Sequence, residues 1–356
     1  MSAAGPCYHR GLDIDPEIGQ AERLPAALHH DPTWFERMRE RVLVRTWHAY
    51  PGPLPPLEPG LVMPWNLLPV SIDEPLVLCV GEQGPRLLSN VCTHCGAMLV
   101  ARVSTNAEGL RCSAHGRSFA LNGLFDEDPA FEGVDGVPSA KDHLASVALE
   151  RWGPMAWASL DPVHPFAELV EPLQRRLSFL DIDTLRPVAK LFREYHVPAG
   201  WLAVCEQKLR GAAADEVHPS PWGSLRLEMA SGEQARLTLP PEHPDHGRDL
   251  ASLHSWLFPS TSIAVYPWGL AIELILPLTP TETRVVCMGL AADPDAIDDA
   301  LGTTLDQRAH EAHGRAVSVA RGQRARLYPR SGYSPRHERA LHHFHRQLGE
   351  LLADSD

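Results

Sequence analysis

Four residues on two short segments carry the clearest chemical pattern in this chain of 356 residues. The first segment contains Cys92 and His94, and the second, after seventeen intervening residues, contains Cys112 and His115. A Rieske-type [2Fe–2S] cluster takes two thiolates on one iron and two imidazoles on the other. Two loops that each supply one cysteine and one histidine meet this need. The spacing therefore predicts such a cluster between the two loops.

The residues of the same two segments also fit a zinc site. Cys92 and Cys95 are spaced as Cys-x-x-Cys, and with Cys112 and His115 they would make a four-ligand zinc site. His94 would then be a bystander. The spacing by itself favours the iron–sulfur cluster and leaves zinc as the alternative.

Each pair is followed closely by a glycine, Gly96 in the first segment and Gly116 in the second. Glycine adopts the left-handed backbone conformation that tight turns require. We therefore expect two tight turns that bring backbone N–H groups close to the cluster sulfides.

Composition limits the partners and the compartment. The chain has 45 acidic and 32 basic residues, a formal net charge of −13. Nucleic acids and anionic membranes bind basic surfaces, so neither is an expected partner. No apolar run reaches transmembrane length, and the first residues lack the apolar core of a signal peptide. Three of the seven cysteines fall between positions 92 and 112, which favours a metal site in the reducing cytoplasm over disulfides.

The segments that must position the two loops have the pattern of short strands. From Val62 to about Leu160, apolar stretches such as LPVSI, PLVLCV and PMAWASL alternate with Gly, Asp, Asn and Pro. This pattern predicts a small all-β domain. Before it, Asp31 and Pro32 are suited to cap and begin a helix over TWFERMRERVLVRTW.

A second region starts near Pro165. Helical periodicity is present in FAELVEPLQRRLSFL and WLAVCEQKLRGAAADEV. Strand patterns follow in SLRLEMA, ARLTLP, TSIAVYPW, LAIELILPL and TRVVCMGLA. Two helical segments end the chain, and the last is expected to begin at Ser334 and Pro335. The order helix, strands, helix predicts an α+β fold with an antiparallel sheet packed against helices.

These elements together resemble the α subunits of Rieske non-haem iron oxygenases, which hydroxylate rings or remove N-methyl groups. The resemblance covers nearly the whole length and is carried by DPTWFERMRERVLVRTWHAY, PLVLCVGEQGPRLLSNVCTHCGAML, RCSAHGRSFALNGLFDEDPAFEGV, SWLFPSTSIAVYPWGL and YSPRHERALHHFHRQL. It implies an N-terminal helix in residues 1–44 that packs on the C-terminal domain, an all-β Rieske domain in 45–162, and a helix-grip (START/Bet v 1-like) domain in 163–356. Cys95 stands where relatives usually carry arginine, and we interpret it as a thiol that is not a ligand.

In this family the second domain holds one mononuclear iron through two histidines and one aspartate, a facial triad with open positions. In relatives, the helix that supplies the first two ligands has the sequence pattern Trp-x-x-x-x-(Glu/Asp)-Asn-x-x-(Glu/Asp)-x-x-His-x-x-x-x-His-Pro. Here Trp201, Glu206 and His218 fit that pattern. Ala213 occupies the first histidine position, and Arg210 replaces the acidic residue that links a neighbouring subunit's cluster to the iron.

The aspartate position of the third ligand is Ala312. Two of the three expected ligands are thus methyl groups, and a single imidazole does not hold Fe(II) usefully in water. The fixed charge of Arg210 would also repel a cation. The resemblance therefore implies that the [2Fe–2S] cluster is present and that the mononuclear Fe(II) is absent.

A rearranged iron site is the alternative. His218 could combine with other donors near it, which are Asp215, Glu216, His310, Glu311 and His313. On a helix, Asp215 and His218 would share a face. We favour a leftover histidine for His218 and an exposed helical face for His342, His343 and His345. Five apolar residues are guessed to line the pocket of the second domain: Leu257, Phe258, Val265, Leu274 and Leu276.

The favoured hypothesis is a catalytically degenerate oxygenase subunit, a pseudoenzyme in the cytoplasm. It would take electrons from a ferredoxin or flavin reductase and join an active, iron-containing homologue in a trimeric or hexameric hetero-oligomer. One alternative is an active Rieske monooxygenase, hydroxylase or demethylase with a rearranged iron site. Another is a non-enzymatic binder of small apolar ligands that uses the cluster as a redox sensor.

Overall fold

The computed structural model describes residues 12–210, 215–329 and 331–353. The chain divides into two compact units. The small unit contains residues 48–151 and 155–162. The large unit contains residues 152–154 and the described residues before 48 and after 162.

The strands of the small unit, within the part of the chain that the structure describes, are β1 (His48–Ala49), β2 (Val62–Leu67), β3 (Glu74–Gly81), β4 (Gly84–Ser89), β5 (Leu110–Arg111), β6 (Ser118–Phe119), β7 (Ser146–Trp152) and β8 (Met155–Ser159). One sheet has the order β1-β8-β7-β4-β3-β2, and β5 pairs with β6 in a separate two-stranded ribbon. The first cluster segment follows β4, and residues 112–117 connect β5 to β6. Both cluster segments are therefore loops at strand ends.

A small apolar core supports these loops, which confirms the predicted all-β domain. Its buried members are Val62, Val77, Cys79, Leu88, Val100, Leu110, Phe119 and Leu144. The predicted strand over LPVSI is wrong, because residues 68–72 form a turn between β2 and β3. Leu68 and Val70 have φ angles of +46° and +74°, which are incompatible with extended backbone.

The large unit contains an antiparallel sheet, in the described residues, of β9 (Arg186–Pro187), β10 (Arg193–Val197), β11 (Glu216–Ser220), β12 (Gly223–Met229), β13 (Leu250–Leu257), β14 (Thr261–Tyr266), β15 (Gly269–Thr279) and β16 (Glu282–Ala291). The strand order is β10-β16-β15-β14-β13-β12-β11, and β9 pairs with β16. ARLTLP was predicted as a strand, but residues 235–240 lie in the connection between β12 and β13. The strand β13 was not predicted.

The helices of the large unit are α1 (Pro32–Met38), α2 (Phe166–Arg176), α3 (Trp201–Leu209), α4 (Asp299–Gln323) and α5 (Arg339–Leu352). Asp31 caps α1 as predicted, because its carboxylate accepts hydrogen bonds from the backbone N–H groups of Thr33 and Trp34. None of the described helices is both long and apolar enough to cross a membrane. Helices and an antiparallel sheet together confirm the α+β fold of this region.

Several predicted helix boundaries are wrong: α1 and α2 end before the predicted positions, at Met38 and Arg176, and α4 begins earlier, at Asp299. The helix α5 begins at Arg339 rather than at Ser334, because residues 334–338 close a separate turn in which the N–H of Glu338 donates to the carbonyl of Ser334. The helix α3 ends at Leu209, whereas the sequence pattern continued it to Val217. Residues 211–214 lie outside the described residues, and Glu216–Ser220 is the strand β11.

Candidate metal centres

The two cluster loops repeat one backbone geometry. In the first loop, the N–H of Cys92 donates to the carbonyl of Ala97 at 2.8 Å, and the N–H of Gly96 donates to the carbonyl of Cys92 at 2.9 Å. In the second loop, Cys112 and Gly116 make the equivalent bonds at the same distances, with Arg117 in the place of Ala97. Both glycines have positive φ, +74° and +82°. The predicted tight turns are therefore present, and glycine is needed because L residues rarely adopt this conformation.

The loops bring the predicted ligands together. The sulfur atoms of Cys92, Cys95 and Cys112 all lie within 4.8 Å of one another. The rings of His94 and His115 lie side by side, with centroids 4.7 Å apart. Cys92 and Cys112 are buried, His94 is half-buried and His115 is exposed, so the thiols lie deeper than the imidazoles. This separation suits a cluster with one thiolate-bound and one imidazole-bound iron.

His94 supplies a direct test of whether the residues fit such a cluster. Its Nδ1 atom is buried and makes no hydrogen bond within the described residues. A buried ring nitrogen without a partner is costly unless something else, such as a metal, takes its lone pair. The donor set of two thiols and two imidazoles, with this free nitrogen, fits a [2Fe–2S] cluster.

A buried arginine joins the two loops. The guanidinium of Arg117, directly after Gly116, donates to Asp128 Oδ2 at 2.6 Å and to Thr93 Oγ1 and Asp142 Oδ1 at 2.9 Å each. Arg117 is only 2% exposed. Because Thr93 stands between Cys92 and His94, this side chain fixes the spacing of the two ligand loops.

Aromatic rings and carboxylates complete the surroundings of Arg117. Its guanidinium carbon lies 5.2 Å and 5.1 Å from the ring centroids of Phe125 and Phe131, within the range of cation–π attraction. Burial alone would raise the pKa of Asp128, but its hydrogen bond from Arg117 holds the pKa below the usual value. The ionised Asp128 lies 3.7 Å from His94 Nδ1, so a negative charge lies beside one imidazole.

The sequence did not point to Arg117, Thr93 or Asp128 as parts of the site. Arg117 could have been noticed because it stands in the second loop, one residue after Gly116. Its burial could not have been predicted, because arginine is rarely buried unless it is paired, and its partners Asp128 and Asp142 lie further along the chain.

The expected iron ligands of the large unit are not brought together in the described residues. Ala312 lies on α4, and Ala213 lies outside the described residues. His218 lies on β11, not on a helix, so the expectation that it shares a helical face with Asp215 is wrong. It lines a cavity of about 350 Å³ together with residues of α2, such as Leu169 and Arg176.

Sheet register puts His218 on the face away from α4. Directly paired residues of an antiparallel sheet point to the same face, and His218 pairs with Leu225, which pairs with Ser255. Glu273 points to the opposite face of the sheet. The same ladder of paired residues connects it through Ser262, Trp256 and Ser224 to Pro219, which is the neighbour of His218 and therefore points the other way. Glu273 lines the cavity next to α4, so the two faces hold different sites.

Other donors considered for a rearranged iron site have partners of their own. Asp215 accepts from Arg226 at 2.6 Å. Glu216 accepts from Arg248 at 2.5 Å through one carboxylate oxygen, and its other oxygen lies 3.0 Å from His218 Nε2. Glu311 is exposed, 3.7 Å from Arg315. Within the described residues, Cys92, Cys95 and Cys112 form the one group of three or more close metal-binding side chains.

An ion pair lies in the cavity between α4 and the sheet, which has a volume of about 110 Å³. The ammonium of Lys208, on α3, lies 2.5 Å from the carboxylate of Glu273. Tyr195 donates to Asp306 on the cavity wall, and the ring of His313 contacts Tyr195 with centroids 4.9 Å apart. The residues guessed as pocket lining do not line this cavity; all five are buried in the core, and Leu257 lines the cavity that contains His218.

Arg210 has a partner inside the chain, because its Nη1 lies 3.4 Å from Glu338 Oε1. Its side chain remains partly exposed. The same carboxylate also receives a hydrogen bond from Arg23. Glu338 therefore offsets part of the positive charge that Arg210 brings to this position.

A buried carboxylate connects three distant segments beside the end of α3. Glu206 Oε1 lies 2.6 Å from His29 Nε2 and accepts from His345 Nε2 at 3.1 Å, while the Tyr333 hydroxyl donates to His345 Nδ1 at 2.7 Å. Burial alone would raise the pKa of Glu206, but His29 and His345 hold it well below its usual value. Burial lowers the pKa of His345, against the opposing effect of Glu206.

The prediction that three histidines of α5 form an exposed face is wrong. His342 and His345 are buried, and His343 is half-buried with its Nε2 at 2.8 Å from the carbonyl of Ser220. His342 Nε2 lies 2.8 Å from the carbonyl of Asp15. The helix packs this face against the N-terminal segment and β11, because imidazole nitrogens can satisfy buried backbone carbonyls.

Comparisons with known proteins agree with the two units. Residues 68–139 match the Rieske [2Fe-2S] domain, and residues 206–354 match the catalytic domain of the ring hydroxylating alpha subunit. Chloroplastic choline monooxygenase of Arabidopsis thaliana is 24% identical over 367 residues, covering 94% of this chain and 84% of that protein. The carnitine monooxygenase oxygenase subunit of Escherichia coli (strain K12) is 24% identical over 265 residues, covering 70% of this chain and 68% of its own length.

Solved structures share the fold. A quaternary ammonium Rieske monooxygenase superposes with a TM-score of 0.76 at 16% identity, covering 96% of this chain and 98% of the other. Naphthalene 1,2-dioxygenase from Rhodococcus sp. gives a TM-score of 0.71 at 19% identity, covering 92% and 94%. The similarity extends over both units of the chain.

Proposed function

Because the chain belongs to the family of Rieske oxygenase α subunits, we propose that it transfers single electrons through a [2Fe–2S] cluster held by Cys92, His94, Cys112 and His115. The convergence of these side chains between two turns of the same geometry supports the assignment. The bound cluster supplies one-electron chemistry. The protein's own contribution is to bury the thiols, to leave His115 toward solvent, and to hold both loops through Arg117.

We further propose that the oxygen chemistry takes place on an iron-containing homologue in the same assembly. The observation that carries this proposal is the donor set of the large unit, in which α4 presents Ala312 and His218 faces α2. A methyl group offers no lone pair, and a lone imidazole holds Fe(II) poorly. The large unit would then keep the fold for assembly, and a ferredoxin or flavin reductase would supply the electrons.

The relatives favour a second candidate, an active monooxygenase. The curated relatives described above are a choline and a carnitine monooxygenase, and the catalytic-domain match covers most of the large unit. Ala213, at one of the expected ligand positions, lies outside the described residues. In this candidate, His218 or another donor would belong to a rearranged iron site.

Iron content distinguishes the two candidates. We expect about two irons and two acid-labile sulfides per chain in the purified protein, and no third iron after incubation with Fe(II) under anaerobic conditions. The measurement is metal analysis by mass spectrometry together with sulfide determination. A reproducible third iron, with oxygen-dependent product formation from choline or carnitine by this chain and a reductase alone, would establish the second candidate instead.

A variant in which the two missing ligand types are restored is the matched comparison for the iron measurement on the natural chain. The double substitution Ala213→His and Ala312→Asp returns the two missing donor types to the sequence positions where relatives carry them. Because His218 faces α2 whereas position 312 lies on α4, the restored donors do not converge with His218, and we expect this variant to bind no more iron than the natural sequence. A gain of one iron per chain would show that the three ligand positions still converge. If the natural chain already binds a third iron, the proposal that it is catalytically degenerate is wrong, because the large unit then binds iron without the two restored ligands.

A further inference from the structure

The cluster loops contain one thiol more than a Rieske centre uses. Cys95 stands between His94 and Gly96, and its sulfur converges with those of Cys92 and Cys112. We propose that these three cysteines form a second metal-binding mode of the same loops: a three-thiolate site for Zn²⁺ in protein that lacks the iron–sulfur cluster.

The sulfur positions match thiolate coordination of zinc. Zinc binds thiolates at about 2.3 Å in a tetrahedral arrangement, which places two thiolates of one ion about 3.8 Å apart. Cys95 Sγ lies 3.6 Å from Cys112 Sγ, and all three sulfurs lie within 4.8 Å of one another. Small side-chain rotations, without a change of the loop backbone, would suffice to place all three on one ion.

The loops are organised in advance for this binding. The backbones around Cys92 and Cys112 are held by the paired turn hydrogen bonds, so binding orders little additional chain. Cys95 is exposed and gives an ion a route from solvent to the two buried thiols. Water or one imidazole would complete four-coordination, and zinc accepts either.

The two metal modes exclude each other, because both need Cys92 and Cys112. They differ in the remaining ligands: the cluster needs His94 and His115, whereas the zinc mode needs Cys95. A chain loaded with zinc would therefore be colourless and would accept a cluster only after it releases the zinc.

The test uses the full chain with its cluster removed by chelation, kept under a phosphine reductant and checked for native far-UV circular dichroism. Zn²⁺ binding is measured by competition with a chromophoric chelator. Cd²⁺ then serves as a probe, because thiolate-to-cadmium charge transfer gives an ultraviolet band that scales with the number of bound sulfurs. Two matched variants are compared with the natural chain: Cys95→Ser and His94→Ala.

We expect the natural chain to bind about one Zn²⁺. Cys95→Ser should weaken zinc binding by at least about 100-fold, since loss of an outer-sphere partner alone costs 10- to 100-fold. It should still accept a cluster with a Rieske electron paramagnetic resonance signal. His94→Ala should lose the cluster and keep zinc. Zinc binding by Cys95→Ser that equals the natural chain, or its loss in His94→Ala, would overturn the proposal.

Discussion

Replacing Arg117 with methionine should destabilise the small unit by about 3 kcal/mol and strip most of the cluster from the purified protein. Methionine has a similar length but no charge, so the buried Asp128 would lose its hydrogen-bonding partner. A buried carboxylate without a partner is among the most costly defects in a protein interior. Thr93 would also lose its link to the second loop, so the ligand spacing would relax.

Hydrogen–deuterium exchange of peptides from β3 and β4 measures the stability of the small unit by itself. Iron and sulfide analysis measures cluster retention. The matched control is Arg111→Met, because Arg111 pairs with Glu127 on the surface, where both side chains are more than half exposed. We expect that control to change stability by less than about 1 kcal/mol.

Arg117→Lys tests the geometry of the interaction. Lysine retains the positive charge but cannot form the forked hydrogen bonds or the same stacking between Phe125 and Phe131. We expect partial retention of the cluster in this variant. Full retention in Arg117→Met, with unchanged exchange rates, would show that the two loops do not depend on this side chain.

Replacing Glu206 with alanine should destabilise the large unit by about 3 to 5 kcal/mol. Glu206 is fully buried, and its removal would leave His29 and His345 without the carboxylate that they share. Urea denaturation followed by far-UV circular dichroism measures the change. Glu311→Ala is the control, since Glu311 is an exposed helical partner of Arg315 and should contribute less than about 0.5 kcal/mol.

The hydrogen-bonded group of Glu206, His29 and His345 should also make the folding stability of the large unit fall as the pH is lowered. The pKa of Glu206 is depressed in the folded chain, so its contribution is present above its unfolded pKa of about 4.3 and is lost as the pH falls below that value. The pKa of His345 is also lowered, so protonation favours the unfolded chain below about pH 6.5. Stability should therefore decline from about pH 6.5 downward, and Glu206→Gln should flatten the part below about pH 5. An equal slope in Glu206→Gln and the natural chain would contradict this role.

Much of the cluster site could be predicted from the sequence because it is encoded locally. Each loop places its cysteine, histidine and glycine within five residues, so the turn geometry depends only on neighbouring positions. The capping of α1 by Asp31 was equally predictable, since the cap bonds to N–H groups two and three residues further on. The resemblance to Rieske oxygenases, supported by the matches to both domains, followed from the same local motifs.

Other features depended on contacts between distant positions. Glu206 is bonded to residues 177 positions before it and 139 after it, so no periodicity could have revealed that His345 is buried rather than exposed. Arg117 gives no local signal of burial, because its partners lie 11 and 25 residues away on separate turns. Such long-range pairs form only when the packing of the whole unit brings the segments together.

The sequence by itself determined the cysteine and histidine spacing that predicts a metal site in the small unit, and that alanine stands at the matched positions 213 and 312 of the large unit. The face of the sheet that the His218 side chain occupies could be learned only from the tertiary structure. A helix was expected there, but the chain leaves α3 at Leu209 and enters β11. In a sheet, a shift of one residue turns a side chain to the opposite face. The register that pairs His218 with Leu225 therefore puts its imidazole toward α2 and away from α4.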